Sequence, residues 1–419
     1  ENAAGRKLTS IEIHDLVCHQ GEAVLVGGVR RTALISLSNH SDERMRNAKS
    51  GQWWLENPQR ALANNSICYT DQPDVGAHMR EWLSIYESRS GERGIFNRQA
   101  CINMLPARRD PNHDFGTNPC SEIVLRSAGF CNLSEVVCRP KDTLATIVVK
   151  VSLAALLGTV QSTLTDFRYL RNIWRKNCEE ERLLGVSLTG IFDCPAILNA
   201  TPKDLEMLRG IAVGANKKYA KKLGIPASAA VTCVKPSGTV SQLASCSSGI
   251  HPAYNDYYRR AVRNDKKDPL AQVMIDAGVP YEEDKTNSEA WVFYFPIKSE
   301  GLTRKSVGPL QQLEVWRKFA LHWCEHKPSM TCYVGEYDWP AVGSWVWDNF
   351  DILNGISFLP SADDGHIYDQ APYEDITKEE YAAMAKKMPK EIDFKFDENA
   401  DNTTSSQELA CSGSSCELS

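Results

Sequence analysis

The stretch Asn118-Pro-Cys-Ser-Glu-Ile123 is followed closely by Phe130-Cys-Asn-Leu133. Side chains in an extended segment alternate with a period of two, so Asn118, Cys120 and Glu122 are predicted to project to one side. The proline fixes its own φ and pushes the residue before it toward extended geometry, which favours a strand or an extended loop tip over a helix. An amide, a thiol and a carboxylate on one small surface can orient a ligand, abstract hydrogen and take up a proton.

The composition is that of a globular protein with a sizeable core. The chain has 419 residues, of which 42% are hydrophobic and 24% charged, and its length allows one large domain or two to three ordinary ones. The formal net charge of −6 argues against a wide nucleic-acid interface, because phosphate backbones require an excess of clustered Lys and Arg. The charge does not exclude a protein that binds single nucleotides as small substrates.

We expect no membrane span and no signal peptide. The most apolar run, residues 147–160, contains Lys150 and is shorter than a span of about 18 residues. The first residues include no Met and no apolar signal region, so we expect the chain to begin inside a longer protein.

The 14 cysteines are scattered, which is typical of reduced core residues and not of a disulfide scaffold. Only Cys411 and Cys416 have a ligand-like spacing, and Cys-x2-Cys is absent from the sequence. We therefore expect no metal site formed by protein side chains.

Helical and strand-like segments alternate. An apolar, helix-length segment spans residues 143–165, and a buried strand is predicted from Leu184. Thr201-Pro202 is typical of a helix start, and that helix is predicted to run to Gly224. This alternation predicts an α/β architecture with a largely parallel sheet.

A predicted strand at residues 230–234 runs into a turn and then a predicted helix. The turn consists of the following residues: Lys235, Pro236, Ser237, Gly238, Thr239, Val240 and Ser241. A strand, a turn and a helix start in this order aim N–H groups and hydroxyls at an anion, although an ordinary capped helix has the same pattern. The sequence is neither a P-loop nor a dinucleotide fingerprint.

Taken together, these motifs resemble a known enzyme family. Asn-x-Cys-x-Glu-Ile with Cys-Asn-Leu shortly after it resembles the finger loop of ribonucleotide reductases. Gly27-Gly-Val-Arg-Arg31, Gly91–Asn97 and the turn after Lys235 resemble segments of the adenosylcobalamin-dependent, single-chain class II branch, in its triphosphate-using form. The resemblance extends from about Lys7 to the last residues.

The resemblance implies a ten-stranded α/β barrel, of which this chain supplies the finger loop and the later part. Residues 1–390 would form the catalytic domain and residues 391–419 a flexible tail. The earlier strands and the binding region for a nucleotide effector are expected upstream.

The resemblance also implies roles for individual residues. Homolysis in adenosylcobalamin, which carries the cobalt, would generate a thiyl at Cys120 that abstracts the 3′-hydrogen of a ribonucleotide. Glu122 would be the general base, Asn118 would bind the ribose hydroxyls, and Cys131 with an unassigned partner thiol would supply electrons. Residues 236–241 would bind the substrate phosphates.

The tail and the setting follow from the same resemblance. Cys411 and Cys416 would carry electrons from thioredoxin to the active site. We expect a cytoplasmic monomer that makes DNA precursors and has neither a nucleic-acid nor a membrane partner.

Three alternatives remain. A class I reductase is disfavoured because no Tyr-Tyr relay is found near the end of the chain, and class III because Arg-x-Cys-Gly-Tyr is absent. An inactive fragment that acts only as a nucleotide-binding or thiol–disulfide module is the non-enzyme alternative. His251 is expected to be packed at a turn, and Asp364-Gly-His366 is not expected to ligate cobalt.

Overall fold

The protein is described by a computed structural model that covers residues 4–26, 29–30, 32–238, 240–285, 288–361 and 370–394. Several sequence predictions lie outside these residues. They concern Gly27, Gly28 and Arg31, Thr239 of the phosphate turn, the Asp364-Gly-His366 segment, and most of the tail, including Cys411 and Cys416.

Helices and strands alternate along the described residues. The α-helices are α1 (Ser10–Glu22), α2 (Glu43–Arg46), α3 (Trp53–Glu56), α4 (Val75–Ser88), α5 (Arg98–Asn103), α6 (Leu144–Gln161), α7 (Asn172–Glu181), α8 (Pro195–Leu198), α9 (Pro202–Leu223), α10 (Val240–Leu243), α11 (Pro269–Asp276), α12 (Pro309–His322), α13 (Trp339–Asp348) and α14 (Lys378–Lys387). Short 3-10 turns span Pro58–Leu62 and Ile191–Asp193.

The strands are mostly short. They are β1 (Leu25–Val26), β2 (Val29–Arg30), β3 (Leu34–Ser38), β4 (Ala63–Tyr69), β5 (Gly94–Asn97), β6 (Phe115–Thr117), β7 (Val124–Arg126), β8 (Asn132–Val137), β9 (Leu184–Thr189), β10 (Tyr257–Asp265), β11 (Tyr281–Glu283), β12 (Ala290–Lys298), β13 (Thr331–Val334), β14 (Ser357–Pro360) and β15 (Tyr373–Asp375).

The α/β class is confirmed, but the sheet is not one largely parallel sheet. Parallel pairing joins β3–β4–β5, β8–β9 and β13–β14. The largest sheet, β11–β12–β10–β15, is antiparallel. The ten-stranded barrel is not confirmed, because the described strands fall into six separate sheets of two to four strands and form no closed barrel.

Residues next to the two ends of helix α9 determine where the helix begins and ends. The Thr201 side chain accepts a hydrogen bond from the N–H of Asp204, whose carboxylate accepts from the N–H of Thr201 in return, so a capping box starts the helix as predicted. Gly224 ends it with a left-handed φ of +68°, a conformation that glycine adopts without a Cβ penalty.

Helix α6 lies within the apolar, helix-length segment predicted at residues 143–165. By length and composition alone its 18 residues could cross a membrane, a criterion that core helices also meet, and 33% of the helix is buried. One face packs on the core, where the Ser134 hydroxyl donates to the Ala154 carbonyl and Asn216 donates to the Thr159 hydroxyl. The opposite face exposes Val149, Leu153, Leu157 and Val160.

A buried ion pair fixes α4 against the start of β5. Arg93 donates from Nε and Nη2 to the two carboxylate oxygens of Glu81 at 2.6 and 3.0 Å, and both residues are 2% exposed. Arg93 also donates to the Ser38 hydroxyl at the end of β3. Two strands and a helix therefore meet at one guanidinium group.

We predict that Glu81→Ala lowers the free energy of unfolding by about 3–5 kcal/mol, because it leaves a buried guanidinium without its carboxylate. Urea denaturation followed by circular dichroism measures the change. The matched control is Asp166→Ala, which removes the partner of Arg168 from a surface ion pair in which both side chains are more than 70% exposed and should change stability little. Equal effects of the two variants would contradict the prediction.

Candidate active site

The segment with Cys120 is the tip of a hairpin. Strands β6 and β7 pair antiparallel, with Thr117 opposite Val124, and residues 118–123 connect them. The tip is a tight turn, since Ser121 has a φ of +67° and donates its N–H to the Asn118 carbonyl. The extended geometry predicted from period-two alternation is therefore wrong for this loop.

Asn118 closes the turn with its side chain. Its Oδ1 atom accepts a hydrogen bond from the N–H of Ile123 at 3.0 Å, five residues further along the chain. Asn64 on β4 donates to the Pro119 carbonyl at 2.8 Å from the other side. The loop is thus shaped by amide side chains that satisfy its backbone.

The tip rests on the segment between α12 and β13. The N–H of Lys327 donates to the Glu122 carbonyl, and its ammonium donates to the Ser121 hydroxyl at 2.7 Å and to the Asn354 carbonyl at 3.1 Å. The hydroxyl of Ser329 donates to the Cys120 carbonyl. Three consecutive residues of the loop therefore have partners on this one segment.

His326 joins the hairpin to the neighbouring sheet. Its Nδ1 accepts from the N–H of Val124 at 3.3 Å, and its Nε2–H donates to the Leu184 carbonyl at 2.9 Å. Burial and the nearby Arg109 guanidinium hold the pKa of His326 well below its usual value. The ring is neutral, and its two hydrogen bonds assign the proton to Nε2.

Two arginines fix the base of the hairpin. Arg109 donates to the Val124 carbonyl at 2.9 Å and to Glu181 at 2.8 Å, and Arg126 lies 3.3 Å from the same carboxylate. All three side chains are at most 8% exposed. Glu181 ends α7, so this helix and the hairpin are connected through one carboxylate.

Glu122 is buried without hydrogen bonds. The residue is 0% exposed, and within the described residues neither carboxylate oxygen has a hydrogen-bond partner. The Lys235 ammonium lies 3.8 Å from Oε1 and supplies a positive charge without a hydrogen bond. Because a buried polar group without a partner is unfavourable, the free lone pairs of Glu122 point to a ligand.

Cys120 and Cys131 share this electrostatic environment. Burial, assisted by the negative charge of Glu122, raises the pKa of both thiols, while Lys235 acts in the opposite direction. Both cysteines are free and partly exposed. The structure thus brings Cys120, Glu122 and Cys131 together and keeps both sulfurs as S–H groups at neutral pH.

The predicted phosphate turn begins beside this cluster. The Lys235 N–H donates to the Ser187 hydroxyl, and Ser237 has a φ of +37°. Nothing lies within 4 Å of a Cβ built on Gly238, so the turn faces open space there. The helix that follows, α10, is only four residues long, which makes its dipole a weaker attraction for an anion than the sequence suggested.

One cavity lies at the finger loop and another at the phosphate turn. One of about 300 Å³ is lined by Cys120 and Ser121, and one of about 610 Å³ is lined by Gly238 and several tyrosines. His251 lines both and uses both ring nitrogens, toward the Ser248 carbonyl and the Thr331 N–H, as expected of a packed histidine. Cys131 lines a third cavity, of about 190 Å³.

Sequence reasoning missed the residues that hold this site. Glu325-His326-Lys327 follows α12 after the buried residues Trp323 and Cys324, and three ionisable residues next to such an apolar pair are the signal that could have identified the segment. Lys235 begins the predicted phosphate turn, and the sequence does not reveal its approach to Glu122, because that approach depends on tertiary structure. Within the described ranges no group of three or more His, Cys, Asp or Glu residues is placed to hold a metal ion.

We predict that the contribution of Lys327 to stability depends on pH. Burial lowers the pKa of this ammonium from 10.5 to about 8, so the folded state loses its proton at a lower pH than the unfolded chain. The free energy of unfolding should therefore rise between pH 8 and 10.5, by on the order of 3 kcal/mol relative to Lys327→Met. Urea titrations of both proteins across this range measure the difference, and a constant difference would contradict the assignment.

Comparison with known proteins gives a consistent picture. An adenosylcobalamin-dependent ribonucleoside-triphosphate reductase of Lactobacillus delbrueckii subsp. bulgaricus is 27% identical over 463 aligned residues, which cover 100% of this chain and 61% of that protein. A probable enzyme of the same name from Dictyostelium discoideum is 28% identical and is covered over 55% of its length. The chain thus spans about 60% of the length of the curated relatives it matches. No protein-family model matches the chain.

Solved structures agree with the sequence comparison. A B12-dependent, class II ribonucleotide reductase superposes with a TM-score of 0.71 at 25% identity, over 93% of this chain and 58% of the other. The class Id alpha subunit of Actinobacillus ureae, at a TM-score of 0.59 and 16% identity, shares the fold. The resemblance inferred from the motifs is confirmed: over the part that it spans, this chain is a relative of the adenosylcobalamin-dependent, class II ribonucleotide reductases.

Proposed function

We propose that this chain is the catalytic part of an enzyme that reduces ribonucleoside triphosphates to 2′-deoxyribonucleotides by a thiyl-radical mechanism, for DNA precursor synthesis. The relatives that it matches along its whole length carry the name of this activity. The observation that carries the proposal is the Cys120 thiol, whose pKa is raised, near the fully buried carboxylate of Glu122, which has no hydrogen-bond partner among the described residues.

The protonation of Cys120 distinguishes radical from nucleophilic chemistry. A nucleophilic cysteine needs a thiolate, which a nearby cation or helix N-terminus stabilises. Cys120 instead lies beside the negative charge of Glu122, and its pKa is raised. A thiol that keeps its hydrogen can give up a hydrogen atom and later return it to the substrate.

Glu122 and Asn118 suit the ribose. The free carboxylate oxygens of Glu122 can accept the proton of the 3′-hydroxyl after Cys120 abstracts the 3′-hydrogen. Asn118 uses its Oδ1 atom within the loop, so its NH2 group is the part that can donate to a ribose hydroxyl. These contacts with Glu122 and Asn118 would hold the sugar in a position that assists loss of its 2′-hydroxyl as water.

Two thiols provide the electrons. Cys131 and a partner thiol give up two electrons and two protons and form a disulfide, while the substrate loses its 2′-hydroxyl as water. The net reaction converts a ribonucleotide and two thiols into a deoxyribonucleotide, a disulfide and water. The raised pKa of Cys131 keeps its proton available for this step.

The residues around Cys120 fit part of the proposed cofactor. The cavity on its exposed side, at about 300 Å³, matches the lower end of small-molecule pockets and has amide and hydroxyl groups from Asn64, Asn65 and Ser66. These residues would hold the adenosyl group. When bound, adenosylcobalamin would supply the radical equivalent that Cys120 receives.

Substrate phosphates are proposed to bind the turn at residues 236–241. Support comes from the open space over Gly238, from the Lys235 ammonium at the start of the turn, and from the large cavity that the turn lines. Glu135 lies beside Ser237, and burial raises its pKa, which limits its repulsion of an anion. A triphosphate is favoured because the curated relatives are named for it.

Further partners belong to the same proposal. Thioredoxin would reduce Cys411 and Cys416 on a flexible tail formed by residues 391–419, which would pass electrons to Cys131. A nucleotide effector would bind a region upstream of residue 1. The enzyme would act as a cytoplasmic monomer.

Cys120→Ser is expected to abolish deoxynucleotide formation in the full-length protein while the fold remains intact. The loop contacts Ser329 through the Cys120 carbonyl, which the substitution retains. Product is measured with a ribonucleoside triphosphate, adenosylcobalamin and a dithiol, and absorbance reports cob(II)alamin in the parent protein. Turnover by the variant would exclude the thiyl assignment and favour a nucleotide-binding or thiol–disulfide module.

Gly238→Val is expected to weaken nucleotide binding at least tenfold by blocking the approach of phosphate to the backbone. Since a Cβ at this position meets nothing within 4 Å, the folded chain should tolerate the substitution, and the melting temperature provides the control. Equilibrium dialysis with a radiolabelled triphosphate measures affinity. Unchanged affinity would move the phosphate site elsewhere.

The double variant Cys411→Ser, Cys416→Ser should stop repeated turnover with thioredoxin. It should retain a single turnover of the prereduced protein and activity with a small dithiol, because only the electron relay is removed. Normal cycling on thioredoxin would show that the tail is not the shuttle.

A further inference from the structure

We propose that Glu135 on β8 binds the substrate as a neutral carboxylic acid, whose O–H group donates a hydrogen bond to a phosphate at the turn of residues 236–241. This inference rests on the proposed function, because it assigns a further residue to the same phosphate site. The thiyl-radical reaction gives this carboxyl group no other task.

The strand geometry directs Glu135 toward the turn. Strands β8 and β9 run parallel with Glu135 opposite Ser187, so the two side chains project from the same face of the pair. The Ser187 hydroxyl accepts a hydrogen bond from the Lys235 N–H at 2.8 Å, which identifies this face as the one that meets the start of the turn. Ser134, next to Glu135 on β8, points the other way and donates to the Ala154 carbonyl of α6.

Two buried oxygen atoms lack hydrogen bonds where Glu135 meets the turn. Ser237 is 1% exposed, and among the described residues its Oγ atom has no partner. The buried Oε1 atom of Glu135 has none there either. Buried polar atoms are normally paired, because an unpaired one has given up its hydrogen bonds to water without replacement. The two side chains are therefore suited to a ligand that hydrogen-bonds to both.

Charged and titratable groups from three segments face Glu135. They are Glu122 on the finger hairpin, Lys235 on the turn and Cys246 after α10. Burial, assisted by the negative charge of Glu122, raises the pKa of Glu135, while Ser237 and Lys235 act in the opposite direction. Glu135 therefore holds its proton more strongly than a glutamate in water does.

A phosphate group matches these donors. A protonated carboxyl group has an O–H donor, whereas a carboxylate can only accept and would repel an anion. The Ser237 hydroxyl and the Lys235 ammonium are donors as well, so three side chains can donate to phosphate oxygens. A bound phosphate would in turn stabilise the proton on Glu135, because a nearby negative charge disfavours the carboxylate.

The pH dependence of nucleotide binding tests the proposal in the full-length, cofactor-free protein. Equilibrium dialysis with radiolabelled CTP compares the parent with Glu135→Gln between about pH 5 and pH 8. As the pH rises and Glu135 loses its proton, affinity of the parent should fall at least tenfold relative to the variant, whose amide stays neutral and keeps N–H donors. The ratio of the two affinities cancels the titration of CTP itself and binding at an effector site that both proteins share. A ratio that does not change with pH would overturn the proposal.

Glu135→Ala separates donation from repulsion. At about pH 5 it should bind CTP at least tenfold more weakly than Glu135→Gln, because alanine offers no donor. Equal affinities of these two variants would overturn the donor role. The matched control is Glu283→Gln, which removes a 71% exposed carboxylate that pairs with Lys266 on the antiparallel sheet and should follow the parent at every pH. The melting temperature reports whether each variant is folded.

Infrared difference spectra report the proton on Glu135 without any turnover. Binding of CTP should change the C=O band of a protonated carboxylic acid in the parent, and Glu135→Gln should lack this change. The same band change in both proteins, or in neither, would overturn the assignment.

Deoxynucleotide formation separates this inference from the proposed function. If CTP affinity depends on Glu135 as stated but the parent forms no deoxynucleotide, the phosphate site stands and the reductase function fails. If the parent forms deoxynucleotide while CTP affinity is independent of Glu135, the function stands and this inference fails.

Discussion

The finger hairpin depends on one largely buried segment, residues 325–329, which supplies hydrogen-bond partners to the tip of its loop. The Lys327 ammonium is the key group, because it is fully buried and is held by the Ser121 hydroxyl and the Asn354 carbonyl. A buried cation is tolerated only where such acceptors surround it. The position of Cys120 is therefore decided by residues about 200 positions further along the chain.

The same constraint explains what the sequence could and could not predict. Local signals were sufficient where neighbours in sequence decide the structure, as in the capping box of Thr201 and the left-handed end at Gly224. The turn at Asn118 was misjudged because alternation assumes a strand, whereas the side chain of Asn118 competes for the backbone and bends it. The antiparallel sheet around β10 was missed because strand direction depends on distant pairing.

The motif identified the groups that we propose to react, but not their environment. Cys120, Glu122 and Cys131 were named from residue types and from a family resemblance, and the structure brings them together. The burial of Glu122 without hydrogen bonds, and the approach of Lys235, arise from three segments that are far apart in sequence. A periodic pattern in the sequence cannot predict that these separate segments meet at Glu122.

The raised pKa values of the two thiols affect how well the site resists oxidation between turnovers. Peroxide attacks the thiolate form of cysteine and begins the ladder from sulfenic to irreversible sulfonic acid. Cys120 and Cys131 keep their protons at neutral pH, so each is a slow target for peroxide. The electrostatics that suit hydrogen-atom transfer thereby also protect the resting site from oxidative damage.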